Sequence, residues 1–268
     1  MGRGPQHLHA EVHAGDGPPI LLVHGLFSSR AAWAPNLAAL CEVATPVVVE
    51  LWGHGRSLAP DEPEAYAPAS YLREFEHLRG ELGVDRWFVC GASLGAALTI
   101  RYAIEMPERV IGHVFTNSGS ALGDEAWVSH VGPAVAADAD RLERDGRAAF
   151  DAHPLNPARG RRLAPEVRAA LVEDGALHDV RGLAATLRHT VPGSSVRSRL
   201  GENTRPALAV VGERERAFAE GRAWLERERP MPHLQIVGAD AGHAVNLEAA
   251  TTFEGAVAAF VAKALGSS

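Results

Sequence analysis

Short apolar runs bounded by turn residues alternate along this chain with segments of helical spacing. That alternation predicts a mostly parallel sheet with helices on both faces. Leu8 to His13 alternates apolar and polar positions, as a half-exposed opening strand does. Ile20-Leu21-Leu22-Val23 and Pro46-Val47-Val48-Val49 are apolar throughout and predict strands buried on both sides. Arg86 to Cys90, Val110 to Thr116, Pro206 to Val211 and His233 to Val237 continue the series. Helical segments are expected between them, at Arg30–Leu40, Pro68–Leu82, Leu94–Met106, Arg214–Arg229 and Leu247–Leu265. Pro68 sits near one helix start and Gly83 just past its end, while Pro107 stops the helix that leaves Leu94.

The texture changes from about Ser120 to Gly201, where Ala, Arg, Gly and Pro replace the β runs. A helical insertion is expected there, with segments near Gly132–Ala149, Ala164–Gly175 and Val180–Thr190. The chain therefore divides into a core of residues 1–119 and 202–268 and a cap of residues 120–201.

Bulk properties narrow the setting. A formal net charge of −7 disfavours a nucleic-acid partner, because phosphate contact needs a basic face that releases counterions. No stretch reaches the ~18 consecutive apolar residues of a membrane span, so no membrane partner is expected. The opening residues Met1 to His7 lack the apolar segment of a secretion signal. Of the two cysteines, Cys90 ends an apolar run and reads as a buried free thiol rather than half of a pair with Cys41. A cytoplasmic protein acting on a small-molecule substrate is the expectation. With no H-E-x-x-H, no paired C-x-x-C and no glycine-rich phosphate loop, neither a metal nor a cofactor is expected. His7, His9 and His13 have strand spacing and read as a solvated face.

Gly91-Ala92-Ser93-Leu94-Gly95 matches G-x-S-x-G between an apolar strand, Trp87-Phe88-Val89-Cys90, and an Ala-rich helix. A strand that turns abruptly into a helix forces strained angles on the central residue, and flanking glycines remove the side chains that would collide. Ser93 is thereby exposed at the sheet edge as a candidate nucleophile, and the Leu94 N–H, at the helix N-terminus, faces the position where an oxyanion would form. A serine hydroxyl needs a base. Among 13 histidines, His243 has the position for it, in Asp240-Ala241-Gly242-His243-Ala244 after the last strand. The carboxylate that orients the imidazole is expected after the strand ending Val210-Val211. Glu215 is the first choice, Glu213 the fallback, and Asp124 a further candidate. The second oxyanion donor is expected from His24-Gly25-Leu26-Phe27, as the N–H of Leu26, with His24 holding the loop by a ring hydrogen bond. Gly53-His54-Gly55-Arg56-Ser57 reads as a turn that ties loops together; Glu50 and Trp52 beside it either line the pocket or pack.

These segments, in this order, resemble the α/β-hydrolase superfamily over essentially the whole chain. The resemblance implies that fold, with the triad in the order Ser, acid, His. Within it, Gly212-Glu213-Arg214-Glu215-Arg216-Ala217-Phe218 is similar to the acid segment of the menaquinone-pathway succinyl-hydroxy-cyclohexadiene-carboxylate synthases, lyases that abstract a proton and eliminate pyruvate. Two departures stand out. Glu215 replaces an Asp, and its longer side chain demands a shifted backbone. Ala97 stands where that group carries an Arg that anchors substrate carboxylates, so that anchor is missing unless cap arginines replace it.

The leading expectation is hydrolysis of a small-molecule ester or thioester through an acyl-enzyme at Ser93. A cofactor-free lyase or C–C bond hydrolase is the second. A non-catalytic binding protein on the same fold is the third, since fold alone does not fix chemistry.

Overall fold

The computed structural model describes residues 7–266; the opening segment Met1 to Gln6 lies outside the described residues. Seven strands form one sheet in the order β1-β3-β2-β4-β5-β6-β7. They are β1 (Ala10–Val12), β2 (Pro19–Val23), β3 (Thr45–Val49), β4 (Trp87–Gly91), β5 (Val110–Phe115), β6 (Ala207–Gly212) and β7 (Leu234–Ala239). β1 pairs antiparallel with β3, and every other pairing is parallel. The expected mostly parallel sheet is therefore observed.

The helices are α1 (Leu37–Cys41), α2 (Pro68–Glu81), α3 (Leu94–Glu105), α4 (Glu125–Asp145), α5 (Arg147–Ala152), α6 (Pro165–Gly175), α7 (Val180–Ala185), α8 (Ala219–Glu228), α9 (Val245–Glu248) and α10 (Ala250–Gly266). None among the described residues is long and apolar enough to cross a membrane.

Strand side chains alternate between two cores. Leu21, Val23, Val47, Val49 and Val89 pack under α2 and α3, against Phe75, Leu98 and Tyr102. Ile20, Leu22, Val48, Phe88 and Cys90 face the other way, against Leu40 of α1 and Phe253, Val257 and Phe260 of α10. Cys90 is thus a buried free thiol, and Cys41 is also unpaired. The unbroken apolar character of these strands follows from having a helical layer on both sides.

Three expected helices take a different course, each for a local reason. The segment expected at Gly132 begins at Glu125, because the Asp124 carboxylate caps it by accepting from the Trp127 N–H at 2.8 Å; Pro133 is carried inside the helix. Gly146, at φ 60°, then separates α4 from α5. The helix expected from Arg214 starts at Ala219, since Glu215 is extended at φ −78°, ψ 99°. The C-terminal helix is broken at Ala249, at φ −136°, ψ 52°.

Successive strands are added on one side of β2 up to β3 and on its other side from β4 onward, so the order switches between β2 and β4. In open parallel sheets, ligand sites form outside the strand C-termini at such a switch point. Gly25 follows β2 and Ser93 follows β4, so the two loops flank it. The approach is close: a methyl group on Gly95 would lie 2.2 Å from the Val23 carbonyl oxygen.

Gly95→Ala is expected to lose about 1–3 kcal/mol through forced backbone shifts. Gly80→Ala, at an exposed helical position with no heavy atom within 4 Å, is expected to gain about 0.4–1 kcal/mol. Urea unfolding of the two variants beside the parent chain measures both signs.

Candidate active site

Ser93 sits between β4 and α3 at φ 53°, ψ −116°. A non-glycine residue held there costs of order 1–3 kcal/mol, so the surroundings must enforce it. They do so by proximity. A methyl on Gly91 would lie 2.4 Å from the Gly95 carbonyl oxygen, and one on Gly25 would lie 2.9 Å from Ser93 Cβ. Larger residues at these positions would push the turn open.

The strained turn leaves the Leu94 N–H at the head of α3 without an intrahelical acceptor, as first-turn donors are. Across from it, the Gly25–Phe27 loop has its other polar groups tied down. The Gly25 carbonyl accepts from His24 Nδ1 at 2.7 Å and from the Ser28 N–H at 3.2 Å. The Phe27 N–H donates to His54 Nε2 at 3.1 Å. Among the described residues, the Leu26 N–H makes no such bond. Leu26 and Leu94, the two donors expected from sequence, are therefore among the backbone N–H groups without an acceptor in the loops around Ser93.

His24 is fully buried, and its Nε2 accepts from the Leu51 N–H at 3.1 Å. Its role is to pin the loop. Burial pushes its ring down to about 4, so it is neutral at pH 7. His54 is likewise buried and shifted well downward by burial, donating from Nδ1 to the Trp52 carbonyl at 2.8 Å.

On the far side of the sheet edge, the loops after β6 and β7 interlock. Glu213 N–H donates to the Ala239 carbonyl at 3.0 Å and Arg214 N–H to the Ala241 carbonyl at 2.9 Å. A methyl on Gly212 would lie 1.9 Å from the Gly242 carbonyl oxygen. This contact brings Glu215 to His243, with 2.7 Å between Oε1 and Nδ1. Glu215 makes this contact from an extended backbone, at φ −78°, ψ 99°. With Nδ1 donating to the carboxylate, Nε2 of His243 carries the lone pair a general base needs. No hydrogen bond joins Ser93 Oγ to His243, a contact that in many hydrolytic sites tightens only with substrate bound. His243 is 50% exposed and Glu215 17%, so the pair opens to solvent on the histidine side.

The second oxygen of Glu215 accepts from Asn117 Nδ2 at 2.6 Å. Asn117 is fully buried, and its amide also accepts from the Gly212 N–H at 2.9 Å and donates to the Gly212 carbonyl at 3.2 Å. Sequence reasoning missed it; the available signal is a polar residue directly following the apolar run of β5. Burial raises the Glu215 carboxyl, but the hydrogen bond and charge of His243 and the bond from Asn117 outweigh it, so the net shift is downward.

The alternative acids go elsewhere. Glu213 points along β7 toward Gly238 and pairs with Arg222 at 3.7 Å. Asp124 caps α4. Glu50 is fully buried and accepts from the Arg30 and Arg56 N–H groups, a packing role. Trp52 lines a groove with Asp61, Glu64 and Arg73 in which none of the candidate catalytic residues takes part. Ala97 is buried against the apolar cluster that holds Phe115 and Val211.

Against known proteins, a family model described as the alpha/beta hydrolase fold matches residues 18–250. The first curated relatives match over only 112 residues, so the chain spans about a third (32%) of their length. A Bacillus subtilis protein named as 2-succinyl-6-hydroxy-2,4-cyclohexadiene-1-carboxylate synthase is 26% identical over 261 residues, 92% of this chain and 93% of its own. A Variovorax paradoxus protein named as the carbamate hydrolase RutD is 30% identical over 214 residues, 76% of this chain and 77% of its own. The solved structure of MenH from S. aureus superposes with a TM-score of 0.82 at 16% identity, over 96% of this chain and 99% of that one.

Asn117→Ala removes the acceptor of the Gly212 N–H and the amide donor to the Gly212 carbonyl and one Glu215 oxygen, and is expected to cost about 1–3 kcal/mol in urea unfolding. The buried histidines set a second expectation. His24 and His178 are held at about 4 in the folded chain, chiefly by burial, whereas an unfolded histidine titrates near 6.5. Only the unfolded state takes up these protons between those values. Stability is therefore full above pH 6.5 and falls toward pH 4, by up to about 1.4 kcal/mol per pH unit for each histidine. Urea midpoints at pH 7.5, 6.0 and 5.0 read the slope.

Proposed function

The chain belongs to the α/β-hydrolase fold family, and on that footing we propose that it is a serine hydrolase acting on a small-molecule carboxylic ester or thioester. The observation that carries the reading is the 2.7 Å contact between Glu215 and His243 at the same sheet edge as the strained Ser93. A carboxylate on Nδ1 orients the ring and stabilises the imidazolium that forms when Nε2 takes a proton.

In this reading Ser93 Oγ attacks the acyl carbon while His243 Nε2 takes its proton. The carbonyl oxygen becomes an oxyanion and receives the N–H groups of Leu26 and Leu94. Collapse of the tetrahedral adduct breaks the bond to the alcohol or thiol, and His243 returns the proton to that leaving group. Water, deprotonated by His243, then attacks the acyl-Ser93 ester, and the acid departs as Ser93 regains its proton. The cap of residues 120–201 supplies the roof over this edge and the preference for acyl or alcohol group. The unpaired thiols of Cys41 and Cys90 agree with a reducing, cytoplasmic setting.

The name carried by the Variovorax relative, a carbamate hydrolase, supports hydrolysis at a carbonyl centre. The name carried by the Bacillus relative points to a synthase instead. Ala97, buried among apolar side chains, removes the arginine on which carboxylate anchoring in that group depends, and this favours the hydrolase.

A fluorophosphonate probe tests the reading directly. Mass spectrometry is expected to find the adduct on Ser93 and none in Ser93→Ala. His243→Ala and Glu215→Gln are expected to react about 10²–10⁴-fold more slowly. Folded protein that takes no label would overturn the hydrolase assignment.

A further inference from the structure

Phe27, in the oxyanion loop, is held from two sides, and one of its two holders belongs to the cap. Phe27 lies at φ 61°, a conformation a phenylalanine adopts only under constraint. Its N–H is fixed by His54, from the core turn Gly53–Ser57. Its carbonyl is fixed by His178, from the loop between α6 and α7, with 3.2 Å between the oxygen and Nε2. On its other side, His178 Nδ1 accepts the N–H of Gly55 at 2.8 Å. An acceptor at Nδ1 places the ring proton on Nε2, so the bond to Phe27 runs from the histidine to the carbonyl.

We infer that His178 is a positioning residue which, from the cap, clamps the Phe27 carbonyl and thereby aims the Leu26 N–H at the oxyanion of the reaction at Ser93. The inference rests on the serine-hydrolase reading above. The Leu26 N–H shares a peptide plane with the Gly25 carbonyl, which His24 and the Ser28 N–H hold from the core. Fixing Phe27 at its N–H and its C=O locks the next two planes and leaves the Leu26 N–H little room to turn. Donor placement matters at this resolution because an oxyanion donor that misses its geometry forfeits most of its effect.

The packing around the clamp is built for it. The His178 ring stands edge-on to Phe150, at 5.2 Å between centroids, and to His54, at 5.4 Å. Burial pushes its ring down to about 4, so it stays neutral and keeps the tautomer that donates to Phe27. Asp174, at the end of α6, fastens the same cap segment to the core, accepting from Ser29 Oγ at 2.9 Å and from Arg56 Nη1 at 3.1 Å. Asp179 N–H, next in the chain, donates to the Gly53 carbonyl at 3.0 Å. Gly53 and Gly182 approach so closely that a methyl on either would lie 2.6 Å from the other's Cα. The cap therefore grips the two core loops, and His178 is the contact that reaches the oxyanion loop's backbone.

Two substitutions separate the two bonds of the ring. In His178→Asn the amide oxygen occupies the Nδ1 position and keeps the Gly55 N–H, but the donor to Phe27 is gone. In His178→Gln the amide nitrogen reaches the Nε2 position and keeps the donor to Phe27, while the Gly55 bond is lost. Each variant loses one hydrogen bond, so a purely structural role makes them alike.

Hydrolysis of p-nitrophenyl butyrate is expected to fall about 10–100-fold in kcat for His178→Asn, with KM little changed, a part of the loss that follows removal of a whole oxyanion donor. His178→Gln is expected to stay within about 3-fold of the parent. Amide hydrogen exchange gives the readout that needs no catalysis: the peptide covering residues 25–29 exchanges faster in His178→Asn and not in His178→Gln. Equal losses in the two variants, or no change in either measurement, would overturn the clamp. A parent chain that neither hydrolyses the ester nor takes the fluorophosphonate sinks the hydrolase reading instead, and hydrogen exchange still decides whether His178 holds the loop.

Discussion

Backbone touches backbone where α3 leaves β4, and the arrangement of the sheet edge hangs on that contact. A methyl on Gly95 would lie 2.2 Å from the Val23 carbonyl oxygen, one on Gly91 2.4 Å from the Gly95 carbonyl oxygen, and one on Gly25 2.9 Å from Ser93 Cβ. Three positions without side chains let the helix start sit directly against the end of β2. The strain at Ser93 is the geometric result of that closeness, and burial of both strands in two apolar layers is what maintains it. The serine, the head of a helix and the loop after β2 are thereby gathered at the switch point of the sheet.

A second gathering happens independently on the other side. The loops after β6 and β7 are zipped by backbone bonds from Glu213 and Arg214 to Ala239 and Ala241, and Gly212 lies against the Gly242 carbonyl. Glu215 and His243 meet as a consequence. Asn117, just after β5, ties that strand's end to the loop after β6 by holding the free oxygen of Glu215 together with both polar groups of Gly212. Polar groups buried this way are stable only when each has its partner, which is why one amide serving three bonds occupies the spot.

Between these halves and helices α6 and α7 runs a set of buried, neutral histidines. His24 ties β2's loop to Leu51, His54 ties Phe27 to Trp52, and His178 ties Phe27 and Gly55 to the loop between α6 and α7. An imidazole suits this work because its two nitrogens accept and donate in one rigid plane. Burial keeps each ring uncharged, at the cost of acid sensitivity.

The sheet, the helices on both faces and the strand-to-helix turn that carries Ser93 were legible in the sequence, because each is encoded locally. A parallel strand between two helical layers must be apolar at every position, as Ile20–Val23 and Trp87–Cys90 are. A tight strand-to-helix turn must carry glycines at fixed spacing, as Gly91 and Gly95 do. Helix starts were less legible: a capping Asp124 outweighed the breaker pair Gly132-Pro133, and Glu215 left the helical run because its carboxylate had a distant partner. What only the tertiary structure decided were choices among chemically equivalent residues. Glu213 and Glu215 are both carboxylates two positions apart, and only the interlock of two loops turns one toward His243 and the other toward Arg222. Asn117 and His178 carry no motif, since most of their partners are backbone atoms, such as Gly212 N and Phe27 O about 95 and 150 residues away, that any sequence supplies. Local spacing fixes where strands, turns and strained corners form, whereas long-range hydrogen bonds depend on how those pieces are brought together in space.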